Sequence, residues 1–211
     1  GEALYIADWF AGIHAVNIAD KTAPRIIGSY DTAGAAWGVR VKDNYAYVFD
    51  WWGGLTVLDV ASPAAIHTVG HYNQQTPLHA YAAKGNYLYA AQGVRGLQIF
   101  DIKNPLNPTW VTGLELAGNT TDIALGENRL YLATQEGGLA IVAIDNPFAP
   151  RLLATLATAE PVEALSVNGR VVYAKERGGD ISVIDVADGQ QPRVIRQSTC
   201  QRNYGHSIVI S

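Results

Sequence analysis

An all-β, five-bladed β-propeller is the fold this sequence predicts, and three observations carry it. The first is a repeat. Tyrosines stand at Tyr5, Tyr47, Tyr89, Tyr131 and Tyr173, each 42 residues after the last, and other columns keep the same step. Gly12, Gly54, Gly96 and Gly138 form one, completed by Asp180. Asp59, Asp101 and Asp185 share a second with Asn17 and Ala143. Pro24, Pro108, Pro150 and Pro192 form a third, broken by Ile66. A period of about 40–45 residues points to propeller blades or to a helical solenoid. The second observation separates the two: each unit is a series of short runs rich in β-branched and aromatic residues, and no stretch of ten or more residues shows a 3.6 period free of Gly or Pro. The third is the phase of the chain ends, which leaves five units in register without an insertion or deletion.

The elements follow from that register. In the best-defined unit, strand A is WGVRVK, strand B YAYVFD, strand C LTVLDV and strand D HTVGHY, separated by the turn signals KDN, WGG and SPAA. Four short strands per unit make a minimal blade. The chain is one domain over 1–211, with units at about 3–43, 44–85, 86–127, 128–169 and 170–211. It opens at Leu4-Tyr5-Ile6-Ala7 as a strand B and closes at His206-Ser207-Ile208-Val209-Ile210 as a strand A. The segment 204–210 is therefore expected to complete the first blade and close the ring, covering edges that would otherwise stay unpaired. The rival is a fragment of a longer propeller, which a cut between A and B would leave in the same phase.

The repeat columns read as structural devices. The Gly column follows the B–C turn, where a positive φ or a close approach excludes a Cβ. The Asp column near the end of strand C is placed to accept backbone N–H groups of the following turn. The Pro column stiffens the C–D connection. The Tyr column is expected to pack between blades with its hydroxyl on a partner.

Composition excludes whole classes of function. With 48% hydrophobic and 16% charged residues the chain is not disordered. No run approaches the length of a membrane helix, so no membrane insertion is expected. A net charge of −4 argues against nucleic-acid binding, which needs clustered Lys and Arg. The single cysteine, Cys200, forms no internal disulfide; it reads as a free loop thiol beside Arg202. With no Met even at position 1, the chain is expected to begin downstream of a natural start. Nucleophile-elbow, P-loop, zinc-protease and haem-attachment motifs are absent from the sequence.

The B–C and D–A loops share one face and differ most between units, so specificity is expected there. That face carries Asp8, Trp9 and Phe10 in the first unit and Asp50, Trp51 and Trp52 in the second, with Trp37, His79, Glu176, Tyr204 and His206 from other loops. Four of the five tryptophans, all but Trp110, fall on it and within neighbouring blades. Two readings stand side by side: a contiguous aromatic patch marks a partner surface, or the rings fold down to plug the ring, the expected role for Trp37 at the start of a strand A. Asp8, Asp50 and Glu176 share a column, and Asp122 and Glu163 approach from strand A. Such carboxylates could serve hydrolysis or, with His79 and His206, hold a cation, although no local ligand spacing supports a metal. His14, His67 and His71 are expected to face solvent.

The segments Gly54-Leu55-Thr56-Val57-Leu58-Asp59-Val60 and Gly96-Leu97-Gln98-Ile99-Phe100-Asp101-Ile102, with Asn44-Tyr45-Ala46-Tyr47-Val48 and Asn86-Tyr87-Leu88-Tyr89, resemble the LVIVD repeat of bacterial and archaeal surface proteins. Ala143 and the GGD of the fifth unit depart from it. The resemblance implies a binding or scaffolding propeller exported to the cell envelope or extracellular space. The expected function is accordingly non-catalytic, with no cofactor. An aromatic and acidic loop face would meet a protein partner or a second copy, with Trp9, Phe10, Trp51 and Trp52 as anchors and Asp8 and Asp50 setting orientation. The alternatives are a glycan-binding, lectin-like propeller and, after it, a metal-binding or glycoside-hydrolysing one.

Overall fold

The computed structural model describes residues 2–51, 54–72 and 78–199. Every sheet in it is an antiparallel meander. The first holds three strands, β1 (Ala3–Ala7), β2 (Ile13–Asn17) and β3 (Arg25–Tyr30). The other four sheets hold four strands each. They are β4 (Ala36–Lys42) to β7 (His67–Tyr72) with β5 (Tyr45–Asp50) and β6 (Gly54–Asp59); β8 (Ala80–Lys84), β9 (Tyr87–Ala91), β10 (Leu97–Asp101) and β11 (Thr109–Leu114); β12 (Thr120–Leu125), β13 (Arg129–Thr134), β14 (Gly138–Ala143) and β15 (Arg151–Leu156); and β16 (Val162–Asn168), β17 (Val171–Glu176), β18 (Ile181–Asp185) and β19 (Arg193–Ser198). These are the A–B–C–D blades of a β-propeller, the first represented by B, C and D. The segment 204–210, assigned by its phase to the missing strand, lies outside the described residues, as does Cys200. Among the described residues no helix is long and apolar enough to cross a membrane.

The chain divides into two compact units, Gly1–Leu78 with Asp101–Thr109, and His79–Phe100 with Trp110–Ser211. In the first, Ile13, Ala46, Val48 and Leu58 form the core; in the second, Tyr89, Leu97, Ile99, Leu130 and Leu132 form one cluster and Tyr131, Leu139, Val172 and Ile184 another. The middle strands β5, β6, β9, β10, β13 and β14 are almost wholly buried, which explains why both of their faces are apolar.

Irregularities repeat with the sequence. A bulge interrupts C–D pairing at Ala15/Val16, Val57/Leu58, Ile141/Val142 and Val183/Ile184, one column throughout. Each bulge adds twist at the same level of its blade. The Asp column does what its position suggests: Asn17, Asp59, Asp101 and Asp185 each accept the backbone N–H two residues on, at 2.7–3.0 Å. Blade-to-blade contact is visible within each unit, where Tyr5 Oη donates to Val60 O at 3.2 Å and the Phe148 ring meets Tyr87 edge-on at 6.0 Å.

The Gly column carries the B–C turn. Gly12, Gly54, Gly96 and Gly138 have φ of 72°, 76°, 69° and 75°, and a Cβ on Gly12, Gly96 or Gly138 would strike the carbonyl oxygen of Tyr30, Leu114 or Leu156 at the end of strand D. In the fifth unit the left-handed residue moves to Gly179, φ 96°, while Glu176 N still donates to Asp180 O at 2.8 Å, the bond Asp8 N makes to Gly12 O. The GGD departure therefore preserves the turn.

The last residue of strand B caps the blade interior where its neighbours carry hydroxyls. Asp50 is 1% exposed and accepts from Thr32 Oγ1 at 2.5 Å and Thr56 Oγ1 at 3.0 Å. Glu176 is fully buried and accepts from Ser182 Oγ at 2.6 Å and Glu160 N at 3.0 Å. Burial pushes the Asp50 carboxyl above the usual aspartate range, the two threonine hydroxyls opposing it in part.

Gly96→Ala is expected to cost more than about 2 kcal/mol in urea unfolding, because the left-handed penalty of about 1–2 kcal/mol adds to the carbonyl collision. Gly85→Ala, at φ 58° with nothing within 4 Å of the new Cβ, should lose the backbone part alone. Equal losses would show that the approach to Leu114 is unimportant. Because the folded Asp50 carboxyl holds its proton more tightly than the unfolded one, its contribution is full below the ordinary aspartate pKa of about 3.9 and is lost as pH rises through the folded value. Asp50→Asn should therefore gain stability relative to the parent as pH rises from that region toward neutrality; a pH-independent difference would contradict the assignment.

Candidate functional site

Aromatic side chains of the first unit gather where the first two blades present their B–C turns. Trp9 N donates to Ala36 O at 3.1 Å, Ala36 N returns a bond to Trp9 O at 2.9 Å, and Trp51 N donates to Ala35 O at 2.9 Å. Both turns are thus pinned to the segment that leads into β4, where the small residues Ala35 and Ala36 are buried. Trp37 follows immediately and its ring lies between the two others. The Trp9–Trp37 centroids are 4.9 Å apart at 76°, Trp37–Trp51 5.2 Å apart at 53°, and Phe10 extends the row 6.1 Å from Trp9. The geometry is edge-to-face and tilted stacking, the arrangement aromatic quadrupoles prefer.

The rings pack on one another and still face solvent. Trp9 is 48% exposed, Trp37 41% and Phe10 71%. Of the two readings of the aromatic set, the exposure of Trp9, Trp37 and Phe10 fits the contiguous surface patch: the Trp37 ring is the middle rung of a half-exposed ladder. Trp52 lies outside the described residues.

Trp9 carries a second peculiarity. Its φ is 44°, in the left-handed region, where a bulky side chain is an outlier. The equivalent position in the third blade is Gly93, φ 53°, which makes the same paired bonds, to Thr120 at 3.0 Å each. A turn that glycine serves at no steric cost here holds an indole.

The carboxylates expected beside the aromatics divide. Asp8 stays on the surface, its carboxylate 3.3 Å from His14 Nε2, while His14 Nδ1 lies 2.8 Å from Ser29 Oγ. Asp50 and Glu176 are corrections: the buried hydroxyl and amide bonds that hold them take both off the loop face, so neither can orient a partner from there. Asp122 accepts from Ile123 N and, from the neighbouring blade, Leu165 N at 2.7 Å, an inter-blade staple. Burial raises its carboxyl above the usual range. Glu163 bonds Lys175 at 2.9 Å and lies 3.5 Å from Arg177; the Lys175 bond is the main cause of a carboxyl held below the usual range.

In the second unit the same columns are polar. His79 occupies the column of Trp37, and burial lowers its pKa. Gly93, Gln135 and Arg177 occupy that of Trp9 and Trp51, with Asn119 Nδ2 donating to Gln135 Oε1 at 3.2 Å. Tyr204 and His206 lie outside the described residues. Among the described residues no group of three or more His, Cys, Asp or Glu could hold a metal ion. His67 and His71 face solvent as expected, while His14 is partly covered.

Two sets of residues escaped the sequence reading. Ile26, Trp110, Leu152 and Val194 form one column of half-exposed apolar side chains on the outermost strands β3, β11, β15 and β19. Trp110, alone among them, is tied down through Nε1 to Gln98 Oε1 at 2.9 Å. The 42-residue step would have found this column. The other is a cavity of about 390 Å³ in the fourth and fifth blades, around Arg129, Ala143 and Arg151.

Comparison with known proteins places this geometry. Among solved structures, the periplasmic gluconolactonase PpgL of Pseudomonas aeruginosa superposes with a TM-score of 0.78 at 11% identity, over 93% of this chain and 67% of that one. The Cps50 (Swd1) β-propeller domain of Myceliophteria thermophila gives 0.74 at 13%, over 93% and 69%. The computationally designed Ika8 protein gives 0.75 at 15%, over 99% of this chain; the chain spans 62% of that protein's length. At these identities the likeness shows the fold alone. No curated protein matches the sequence. The LVIVD repeat model matches residues 1–32, 33–74, 81–113 and 117–158, well over half of the sequence, and the chain belongs to the LVIVD-repeat family.

Proposed function

We propose that this protein is a non-catalytic binding propeller that presents the ladder Phe10–Trp9–Trp37–Trp51, with Asp8 at its rim, to a protein partner. The observation that carries the reading is the exposed indole of Trp9 held on a left-handed backbone. Such strain persists where the surroundings over-determine it, and it points to a role for the side chain rather than for the turn. Large aromatics at low side-chain entropy are the usual anchors of protein interfaces. The near-perpendicular Trp9 and Trp37 rings make a ridged surface, suited to interdigitating side chains more than to the flat face of a sugar. Asp50 and Glu176, two of the carboxylates that hydrolysis could use, are each buried and hydrogen-bonded, which supports the non-catalytic reading. The location proposed, envelope or extracellular, rests on the resemblance to surface proteins of the family.

Native mass spectrometry of the protein isolated from its source, beside Trp9→Ala/Phe10→Ala, tests this. The parent should carry a protein partner or a second copy that the variant loses at unchanged circular dichroism, each truncated anchor weakening binding about tenfold or more. A bare single chain in both would overturn the proposal, and a bound glycan would replace it with the lectin-like reading. Stability gives a separate check. Trp9→Gly should be more stable than Trp9→Ala by about 1 kcal/mol, since both lose the ring and only glycine relieves the left-handed strain. Equal stability would show that φ at Trp9 costs nothing.

A further inference from the structure

The fourth blade breaks the Asp column, and the break leaves two arginines facing an alanine. In the fifth blade Asp185 lies across from Arg193, whose Nη2 and Nε reach its Oδ2 at 3.0 and 3.3 Å. The equivalent pair in the fourth blade is Ala143 and Arg151. On the other side of Ala143 the register places Arg129, where the fifth blade has Val171. Strands β13, β14 and β15 thus carry a row Arg129–Ala143–Arg151 in which the usual carboxylate is missing.

The row lines the cavity of about 390 Å³, together with Asn128, Asp145 and Asp188. Arg129 is anchored through Nη1, which donates to Val186 O at 3.0 Å; the corresponding carbonyl of the second blade, Val60 O, takes the hydroxyl of Tyr5 from the first. Its guanidinium is therefore held in place by the neighbouring blade. Among the described residues Arg151 makes a long contact with Asp145, 3.7 Å between two exposed side chains, and such pairs contribute little. The Asp188 carboxylate caps its own turn by accepting Gln190 N at 2.8 Å.

We propose that this cavity binds the carboxylate of a small organic acid, which takes the place of the absent aspartate side chain between Arg129 and Arg151. Guanidinium forks match a planar carboxylate in two parallel hydrogen bonds. Asp145 and Asp188 balance the two arginines in charge, which favours a single carboxylate over a multiply charged anion such as phosphate. The site stands apart from the aromatic ladder and does not depend on it.

The test follows the Nε–H resonances of Arg129 and Arg151 by NMR during titration with acetate, propionate and inorganic phosphate at constant ionic strength. Acetate and propionate should shift both signals along a saturating curve, and phosphate should act more weakly at equal concentration. Ala143→Asp supplies the carboxylate from within the chain: it should abolish the shifts and raise the unfolding temperature. Should that variant misfold, Arg151→Gln, a change on an exposed side chain, should weaken propionate binding about tenfold. Unmoved arginine signals in the parent, binding that survives both substitutions, or phosphate binding as tight as propionate would each overturn the proposal.

Discussion

Three blades share one close approach, that of the glycine opening strand C to the end of strand D. Gly12, Gly96 and Gly138 press on the carbonyls of Tyr30, Leu114 and Leu156, leaving no room for a Cβ. The contact draws the B–C turn onto the chain leaving strand D, so two loops distant in sequence share one edge of the sheet. The positive φ aims the turn and the carbonyl fixes its height. In the first blade that approach sets the B–C turn of Trp9 and Phe10 beside the segment after strand D that leads to Trp37, while the turn of Trp51 is held by its own bond to Ala35 O. The rigidity of the face is a property of the backbone, and side chains there vary without disturbing the blade.

That freedom is why Trp9 stands out. Trp9 and Gly93 make the same paired bridge to the start of the following strand A, at Ala36 and Thr120. Glycine meets the backbone requirement without cost; an indole there carries a penalty of the order of 1–2 kcal/mol. Contact with Trp37 offsets part of it, since edge-to-face pairs contribute about 0.5–1.5 kcal/mol.

The sequence made the architecture legible because the step never slips: one strand assigned by its neighbours assigned the other described strands, while the bulges between C and D went unread. The site was legible only in part. The clustering of tryptophans in two adjacent units identified the aromatic face, but whether the rings pointed in or out depended on the Ala35–Ala36 floor beneath them, which no single column announces. Asp8, Asp50 and Glu176 share a column and were expected to share a surface. What separates them is six residues downstream, where Asp50 has Thr56 and Glu176 has Ser182, hydroxyls that donate to a buried carboxylate, while Asp8 has His14. Burial of a carboxylate is tolerable only where donors are built in, so the downstream residue, not the acid, decided its environment. Trp52, Tyr204 and His206 lie outside the residues on which such a comparison can be made.

In a repeat protein the columns describe what every blade needs, and function has to be sought where a column is broken at a cost. One true break closes strand C, and one costly choice at a variable position precedes its opening. At the opening of strand C, the B–C turn of the first blade holds tryptophan where the third holds glycine, exchanging backbone ease for an exposed ring. At the closing of strand C, the fourth blade holds Ala143 where Asp59, Asp101 and Asp185 each cap a turn, and surrenders a hydrogen bond made in the other blades. The GGD of the fifth unit is a break of another kind, since Gly179 restores the turn and nothing is lost. Compensation separates the two classes. A departure repaired within the blade leaves the structure as it was, whereas an unrepaired one leaves an exposed aromatic row or a pair of arginines without the aspartate of the column, and it is at those two places that a partner and a ligand are proposed.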